Sequence, residues 1–315
     1  MTNSLTVYAP EMIVAGGDPR GETCRYYNLV TGKKLVISEE KAANSAEWHI
    51  AFKRSVIKVN GGSAGTGGIT GACISLPFDV SRENFLALTD ADFRQKFDAV
   101  NAIPPGAELR PEAIDPAIFG WCVETDGAIQ ANAIKCWKLR LADGASFAKL
   151  RIKEVGQKRE YVIAEYGYQP ARGSSVSEVR TGRLDEGNGF SFAQGCAIAP
   201  DGTAWDIRLS AGAIFLNSSA SGPGMAGAIG SNTWTAKWDA LDPSDSVAYF
   251  MDEMGAIFRS PKWYRYNING KHDIHPNGAV YALRTKDGDF KVQVYDYFMH
   301  KGSDIGNFRV RYAKL

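Results

Sequence analysis

The stretch Trp48-His-Ile-Ala-Phe52, followed by Ile57-Lys-Val-Asn60 and the glycine-rich loop 61–68, decides the fold class. Its first part alternates as a β-strand does, and the loop supplies the positive φ angles that glycine tolerates. The same pattern recurs 157 residues later, so that Trp48, Asn60, Gly65 and Gly67 correspond to Trp205, Asn217, Gly222 and Gly224. A motif repeated at this distance indicates two copies of one β-rich domain.

The later parts of the two halves match as well. Trp137-Lys-Leu-Arg140 precedes Asp143-Gly144, and Tyr281-Ala-Leu-Arg284 precedes Asp287-Gly288. Asp-Gly between alternating segments predicts a hairpin. Further strands are expected at 147–152, 161–166, 290–294 and 308–312. A helical stretch is expected in each half, at 81–100 behind the cap Ser81 and at 242–254 behind Asp242. The polar segment 171–187 is the predicted linker between an all-β domain at 1–170 and another at 188–315.

Composition excludes several classes of function. The 315 residues carry a net charge of +1, which gives no electrostatic case for nucleic-acid binding. We find no apolar run long enough for a transmembrane segment and no signal peptide at the N-terminus. These features predict either a cytosolic protein or the mature segment of a protein, shown behind an added Met. Cys122 and Cys136 flank a turn and are expected to pair, which would favour an oxidising compartment.

The glycine loop does not satisfy the spacing of a phosphate-binding loop. Ile69-Thr70-Gly71 follows it where Lys-Ser/Thr is needed, and its second copy places Pro223 among the backbone amides. We interpret both loops as scaffold. His49 alternates with Trp48 and Ile50, and we expect it to face solvent. Because no activated nucleophile or acid–base pair is visible, we predict no enzyme activity.

The second half is rich in soft iron ligands and aromatic residues. Imidazole and thioether are axial ligands of haem iron, and aromatic groups line haem pockets. The alternatives are a hydrophobic core built from Met and aromatic residues and, for His272 and His275, a transition-metal site or polar surface. The residues concerned are Met225, Met251, Met254, Trp263, Tyr264, Tyr266, His272, His275, Met299 and His300.

Taken in order, these motifs resemble the HmuY family of bacterial haem-binding surface proteins. The resemblance is carried by Trp48–Phe52, Ile57–Gly65, Trp205–Ile207, Asn217, Trp263–Tyr266, His272–Pro276 and Val280–Phe290. It implies a hand-like all-β fold and an extracytoplasmic lipoprotein or released haemophore. It further implies haem clamped between loops and its transfer to a TonB-dependent outer-membrane receptor. As a lipoprotein, the protein would reside at the outer membrane, the cell surface or the periplasm.

Under this resemblance His272 is the expected iron ligand, and Met254, Met251 or Met225 supplies the second, with Met254 favoured. Trp263 and Tyr264 would line the cofactor. The first half lacks the histidine, because Gly127–Ile134 stands where His272 and Pro276 stand in the second. Two alternatives stay open: a surface module that binds protein or glycan, and a scavenger of another metal or chelate through His272, His275 and nearby Asp273. The metal ligands expected from the sequence are His272, Met254 and His275.

Overall fold

The computed structural model describes residues 2–8, 24–298 and 305–315. The fold is mostly β, as predicted. Up to residue 131 its elements are β1 (Asn3–Tyr8), β2 (Arg25–Asn28), β3 (Lys33–Leu35), α1 (Glu39–Ala43), β4 (Ile50–Lys53), β5 (Val56–Val59), a 3-10 helix (Gly62–Ala64), β6 (Thr70–Ser75), α2 (Arg82–Leu86), α3 (Asp90–Asp98), β7 (Arg110–Pro111), β8 (Ile114–Asp115), β9 (Cys122–Thr125) and β10 (Ala128–Ala131).

The second series of elements begins with the longer strands of the middle of the chain. It comprises β11 (Cys136–Arg140), β12 (Phe147–Val155), β13 (Tyr161–Gln169), β14 (Arg180–Asp185), β15 (Gly189–Ser191), β16 (Cys196–Ile198), β17 (Ile207–Ser210), β18 (Ala213–Leu216), β19 (Gly227–Ser231), a 3-10 helix (Thr235–Lys237), β20 (Glu253–Met254), α4 (Ala256–Arg259), β21 (Tyr264–Tyr266), β22 (Ile274–Pro276), β23 (Val280–Thr285), β24 (Gly288–Phe298) and β25 (Ile305–Lys314).

The chain forms two compact units that differ from the predicted division at 171–187. Unit 1 combines Met1–Ile114 with Met254–Leu315, and unit 2 is the continuous segment Asp115–Glu253. The physical reason is strand pairing. In unit 1 the sheet runs β1-β25-β24-β23-β6-β7, and in unit 2 it runs β14-β13-β12-β11-β19. The first part of each repeat therefore pairs with the second part of the other.

The expected linker contains a strand of the unit 2 sheet. Within 171–187, β14 pairs with β13 along its whole length, from Arg180 opposite Tyr166 to Asp185 opposite Tyr161. Each unit also has a four-stranded antiparallel sheet, β3-β2-β4-β5 in unit 1 and β16-β15-β17-β18 in unit 2. The predicted Asp-Gly hairpins are confirmed as β11–β12 and β23–β24.

The repeated asparagine organises the glycine loop in the same way in both units. Asn60 donates from Nδ2 to the carbonyls of Ser45 and Trp48 at 2.7 and 2.8 Å, and accepts from the Gly67 amide at 2.9 Å. In unit 2, Asn217 donates to Gly202 and Trp205 at 3.1 and 2.7 Å and accepts from Gly224 at 2.9 Å. The partners are again 157 residues apart. The loop is a scaffold element, as interpreted from the sequence.

A buried carboxylate holds each unit together at the end of the first part of the repeat. Glu112 accepts from the amides of Val59 at 2.9 Å and Ile257 at 3.4 Å, which come from the two chain segments of unit 1. Asp252 accepts from the amides of Leu216 and Ala117 at 2.7 and 2.8 Å in unit 2. Burial raises the pKa of Glu112, and raises that of Asp252 to about 6.

Of the two predicted helical stretches, the first is confirmed and the second is wrong. The Ser81 side chain accepts from the Asn84 amide at 3.3 Å and caps α2, and α3 follows. Residues 242–252 instead form a loop, because the Asp242 carboxylate accepts from the Ser244 amide at 2.8 Å and closes an Asx turn. The helix α4 begins only at Ala256.

The expected disulfide is also wrong. All five cysteines are free thiols. Cys122 lies on β9 and packs against the unit 2 core, whereas Cys136 is buried on β11 beside Thr235. The turn that suggested the pair is confirmed, but it joins β9 to β10, so the strand that pairs with Cys122 ends at Ala131.

Candidate functional site

The hairpin of β21 and β22 in unit 1 carries the predicted histidines. Tyr264 pairs with Pro276, Arg265 with His275 and Tyr266 with Ile274. Its counterpart in unit 2 is the hairpin of β9 and β10. Each hairpin follows a buried tryptophan and is followed by an asparagine. The backbone N–H of this asparagine donates to the carbonyl of that tryptophan, from Asn277 to Trp263 at 3.0 Å and from Asn132 to Trp121 at 2.9 Å.

The two hairpins differ in the turn that closes them. In unit 2 the turn consists of Asp126 and Gly127, both with positive φ, as a tight two-residue hairpin requires. In unit 1 the residues 267–273 connect Tyr266 to Ile274, and this longer loop carries His272. The histidine therefore lies on an insertion that unit 2 lacks.

The loop 267–273 is held by its own hydrogen bonds. Asn267, at φ +57°, donates its amide to the Asp273 carbonyl at 2.8 Å and accepts from the His272 amide through Oδ1 at 2.9 Å. Asn269 donates from Nδ2 to the Asp273 carboxylate at 2.6 Å. His272 itself has φ +62°, an uncommon backbone conformation for a residue with a Cβ atom. These bonds fix the backbone from which the imidazole projects.

The imidazole of His272 is exposed and has one polar partner. Its Nδ1 lies 3.0 Å from the hydroxyl of Tyr266, and the two ring centroids are 6.0 Å apart. Nε2 makes no hydrogen bond to any residue that the structure describes. Engagement of one ring nitrogen leaves the other as a free ligand atom, the arrangement found at metal-binding histidines.

His275 lies in a different environment on the same hairpin. It is half-buried, and its Nε2 is shielded from solvent without a hydrogen-bond partner in the described part of the chain. Burial lowers its pKa, and the charge of Asp273 opposes that shift. Arg265, its partner across the hairpin, donates to the carbonyls of Phe78 and Val80. His275 is therefore held on the packed part of the hairpin rather than at its tip.

Trp263 and Tyr264, expected to line a cofactor, belong to the hydrophobic core or its edge. Trp263 is 2% exposed, its Nε1 donates to the Ser55 carbonyl at 3.0 Å, and its ring packs on Tyr297 and Phe308 with centroids 5.3 Å away in both cases. Tyr264 is half-buried against the same core. Tyr266, at 59% exposure, is the aromatic residue that accompanies His272.

The methionines expected as second ligands are spread over both units. Met254 is half-buried in unit 1 and packs against a cluster that contains Trp48, Tyr26 and Cys24. Met225 and Met251 belong to unit 2. Met299 and His300 lie outside the residues that the structure describes.

The predicted metal set of His272, His275 and Met254 occupies three distinct settings. His272 is exposed at the hairpin tip, the His275 Nε2 is enclosed, and Met254 packs on the Trp48 cluster. Among the described residues, no group of three or more His, Cys, Asp or Glu side chains is arranged to hold a metal ion. No helix in the described ranges has the length and hydropathy needed to cross a membrane.

The prediction that His49 faces solvent is wrong. His49, expected to face solvent, is 2% exposed: the Leu29 amide donates to its Nδ1 at 3.0 Å, and Nε2 lies 3.2 Å from the Asp287 carboxylate. Asp206 occupies the same place in unit 2 and accepts from the amides of Ala142 and Phe192, both at 2.9 Å. The sequence did contain a signal for this burial, because a polar residue stands at the same position of the strand in both repeats.

Comparison with known proteins gives a family match and two remote structural likenesses. A solved protein from Bacteroides vulgatus, named as HmuY-like and heme-binding, is 11% identical, with 99% of this chain and 90% of that chain covered and a TM-score of 0.37. A Bacteroides fragilis protein named as a lipoprotein is 11% identical, with 99% and 89% covered and a TM-score of 0.34. No curated relative matches the sequence.

The family match covers the first repeat, which contributes residues 22–114 to unit 1 and residues 115–168 to unit 2. His272 lies outside the matched residues. Residues 22–168 match the HmuY protein family.

Proposed function

We propose that this protein binds haem without catalysing a reaction, and that His272 supplies an axial ligand to the iron. The family match over residues 22–168 supports the ligand class. The observation that carries the choice of residue is the loop 267–273, because it presents an exposed imidazole where the equivalent hairpin of unit 2 has only the Asp126-Gly127 turn.

The donor set of this loop fits a haem ligand. Iron coordination requires a ring nitrogen with a free lone pair, and in the tautomer whose Nδ1–H donates to the Tyr266 hydroxyl the Nε2 lone pair is free. Asn267 accepts from the His272 amide and donates to the Asp273 carbonyl, and these two hydrogen bonds limit how far the ring can move. Exposed Tyr266 and half-buried Tyr264 add aromatic surface on the same strand. When bound, haem would supply the colour and redox chemistry of its iron.

The second axial ligand is the less defined part of the proposal. Met254 is the candidate within unit 1, and its thioether packs on the Trp48 cluster. Its use as a ligand requires the side chain to leave that cluster, so we expect Met254→Leu to weaken haem binding less than His272→Ala. Met225 and Met251 are the remaining candidates, and the corresponding leucine variants test them in the same assay.

Haemin titration followed by absorbance tests the proposal. We expect a saturable Soret shift in the unaltered chain and a loss of affinity of about tenfold or more in His272→Ala, since one coordination bond is removed. His275→Ala is the matched control on the same hairpin, and it should retain the shift. If the unaltered protein gives no saturable shift, haem binding is refuted; if His272→Ala binds as the unaltered chain does, His272 is not the ligand.

The cellular role follows from the same family. We propose an extracytoplasmic location, as an outer-membrane lipoprotein or at the cell surface or in the periplasm, and transfer of haem to a TonB-dependent outer-membrane receptor. Cell fractionation tests the location. Transfer is tested by mixing haem-loaded protein with receptor-containing outer-membrane vesicles, where the Soret absorbance should move to the vesicle fraction. Haem that stays with the protein would refute the hand-off.

A further inference from the structure

Unit 2 contains a cleft of about 520 Å³ that is not part of the proposed haem site. It lies between β11, the 3-10 helix Thr235–Lys237 and the loop 239–245, all within unit 2. Its volume falls within the range of small-molecule sites. The residues that give it its chemistry are Lys138, Trp234, Lys237, Asp239, Asp242 and Asp245.

The cleft arises from a difference between the two repeats. In unit 1 the long connection 76–111 includes α3, which covers one face of the sheet: Lys291 donates to the carbonyls of Phe97 and Val100 at 2.8 and 2.6 Å. In unit 2 the shorter connection 232–251 provides only a 3-10 turn. Lys149 there donates in the same way, to the Trp238 and Asp239 carbonyls at 2.7 and 3.1 Å. The cleft lies between this shorter connection and β11.

The part of the sheet that lines the cleft carries a charged residue at a position where unit 1 has none. Lys138 pairs with Lys149 across β11 and β12, whereas the residue opposite Lys291 is Ala282. Lys138 is only 5% exposed, its ammonium lies 4.7 Å from the ring centroid of half-buried Trp234, and its counter-ion is the carboxylate of exposed Asp245. An ammonium group at the floor of a cleft retains further donor capacity, because lysine has three N–H bonds.

The charges of the cleft select the kind of ligand. Two lysines and three aspartates nearly cancel, so a strongly charged ligand meets groups of its own sign. A divalent cation is disfavoured, because the described residues contain no arrangement of three acidic, His or Cys side chains suited to a metal. A neutral ligand with many hydroxyls can donate to the carboxylates and accept from the ammonium groups, while its C–H groups pack on the indole.

We infer that this cleft binds a neutral saccharide, about one or two pyranose rings in size. Trp234 provides the apolar wall, Asp239 and Asp242 accept from sugar hydroxyls, and Lys138 donates from the floor. The site is separate from the hairpin that carries His272 and does not depend on haem binding.

Titration of the ¹⁵N-labelled full chain tests this inference. The neutral probes are glucose, galactose, mannose, N-acetylglucosamine, maltose, cellobiose and lactose, and the charged comparison sugars are glucuronate and glucosamine. Each is added to about 20 mM, which detects a Kd near 1 mM. The chain has seven tryptophans, and Trp234→Phe identifies the indole N–H signal of Trp234 by its loss. We expect at least one neutral sugar to shift that signal saturably.

Variants decide whether the cleft is responsible. We expect Trp234→Ala, and separately Asp239→Asn at an exposed position, to weaken binding about tenfold, as the loss of a single good contact does. Phe119→Ala is the matched control, because Phe119 is an aromatic residue of unit 2, is 66% exposed and does not line the cleft. The inference is overturned if no neutral sugar shifts the indole signal, if only glucuronate or glucosamine binds, or if both cleft variants bind like the unaltered chain.

Discussion

The equivalent asparagines Asn60 and Asn217 allow one perturbation to be made twice in the same chain. Each is fully buried, donates two hydrogen bonds and accepts one, and each ties its glycine loop to the strand that follows the buried tryptophan. We therefore expect Asn60→Ala to destabilise unit 1 and Asn217→Ala to destabilise unit 2 by similar amounts.

The magnitude follows from the groups left without a partner. Replacement of Asn60 by alanine removes the partner of the buried Trp48 carbonyl, which costs roughly 1–3 kcal/mol. The Ser45 carbonyl and the Gly67 amide are only partly buried, so water replaces part of their loss. With the small cavity, we expect a decrease of about 2–4 kcal/mol in the free energy of unfolding, or roughly 5–15 °C in the Tm of the affected unit.

Urea unfolding and amide hydrogen exchange measure this effect unit by unit. Protection of the Gly67 amide should fall in Asn60→Ala and that of the Gly224 amide in Asn217→Ala, each without change in the other unit. Asn132→Ala is the control, since its side chain makes one exposed hydrogen bond, to the Gly120 carbonyl, and should cost about 0.5 kcal/mol or less. If Asn60→Ala costs no more than Asn132→Ala, the scaffold role of the asparagine is refuted.

Four further predictions have defined outcomes. Burial raises the pKa of Asp206 and Asp252 from 3.8 to about 6, so each contributes stability to unit 2 that is present below pH 3.8 and is lost, by up to about 3 kcal/mol per residue, as pH rises through 6. Urea unfolding across this range measures the decline, and Asp252→Asn should roughly halve the contribution of the pair. Burial lowers the pKa of His49, so unit 1 should instead lose stability as pH falls below 6.5. A free energy of unfolding of unit 1 that does not change between pH 7.5 and 5 would contradict this. Lys291→Met should cost about 2–3 kcal/mol in urea unfolding because two carbonyls at the end of α3 lose their donor; an unchanged midpoint would exclude that role. Tyr266→Phe should weaken haemin binding several-fold while keeping a Soret shift, whereas unchanged affinity would show that the hydroxyl does not position His272.

The local elements of this fold were accessible from the sequence, because short-range rules determine them. The strand Ile50–Lys53 after Trp48, the Asp143-Gly144 and Asp287-Gly288 hairpins and the cap at Ser81 each follow from a few neighbouring residues. The 242–254 stretch failed because the Asx turn at Asp242 competes successfully with a helix.

Which repeat halves pair with each other could not be predicted from the sequence. Since the two copies have equivalent strands, either second half supplies a suitable partner for either first half, and a single sequence does not record which pairing is used. For the candidate site, alignment of the copies selected His272. The bonds to Tyr266 and Asn267 required the structure, because they depend on the path of a loop with three positive φ angles.

The exchange of repeat halves has a consequence for the order in which the chain acquires its structure during synthesis. Residues 115–253 leave the ribosome as one continuous stretch and already contain every strand of the unit 2 sheet. Strand β1 must wait for β25, with which it pairs from Asn3 opposite Tyr312 to Tyr8 opposite Asn307. At about 5–20 residues per second, the earlier segment stays without its partner for roughly 10–40 s after unit 2 starts to emerge. Strands β6 and β7 are then exposed edges, and a nascent chain in this state is where a chaperone has the most surface to protect.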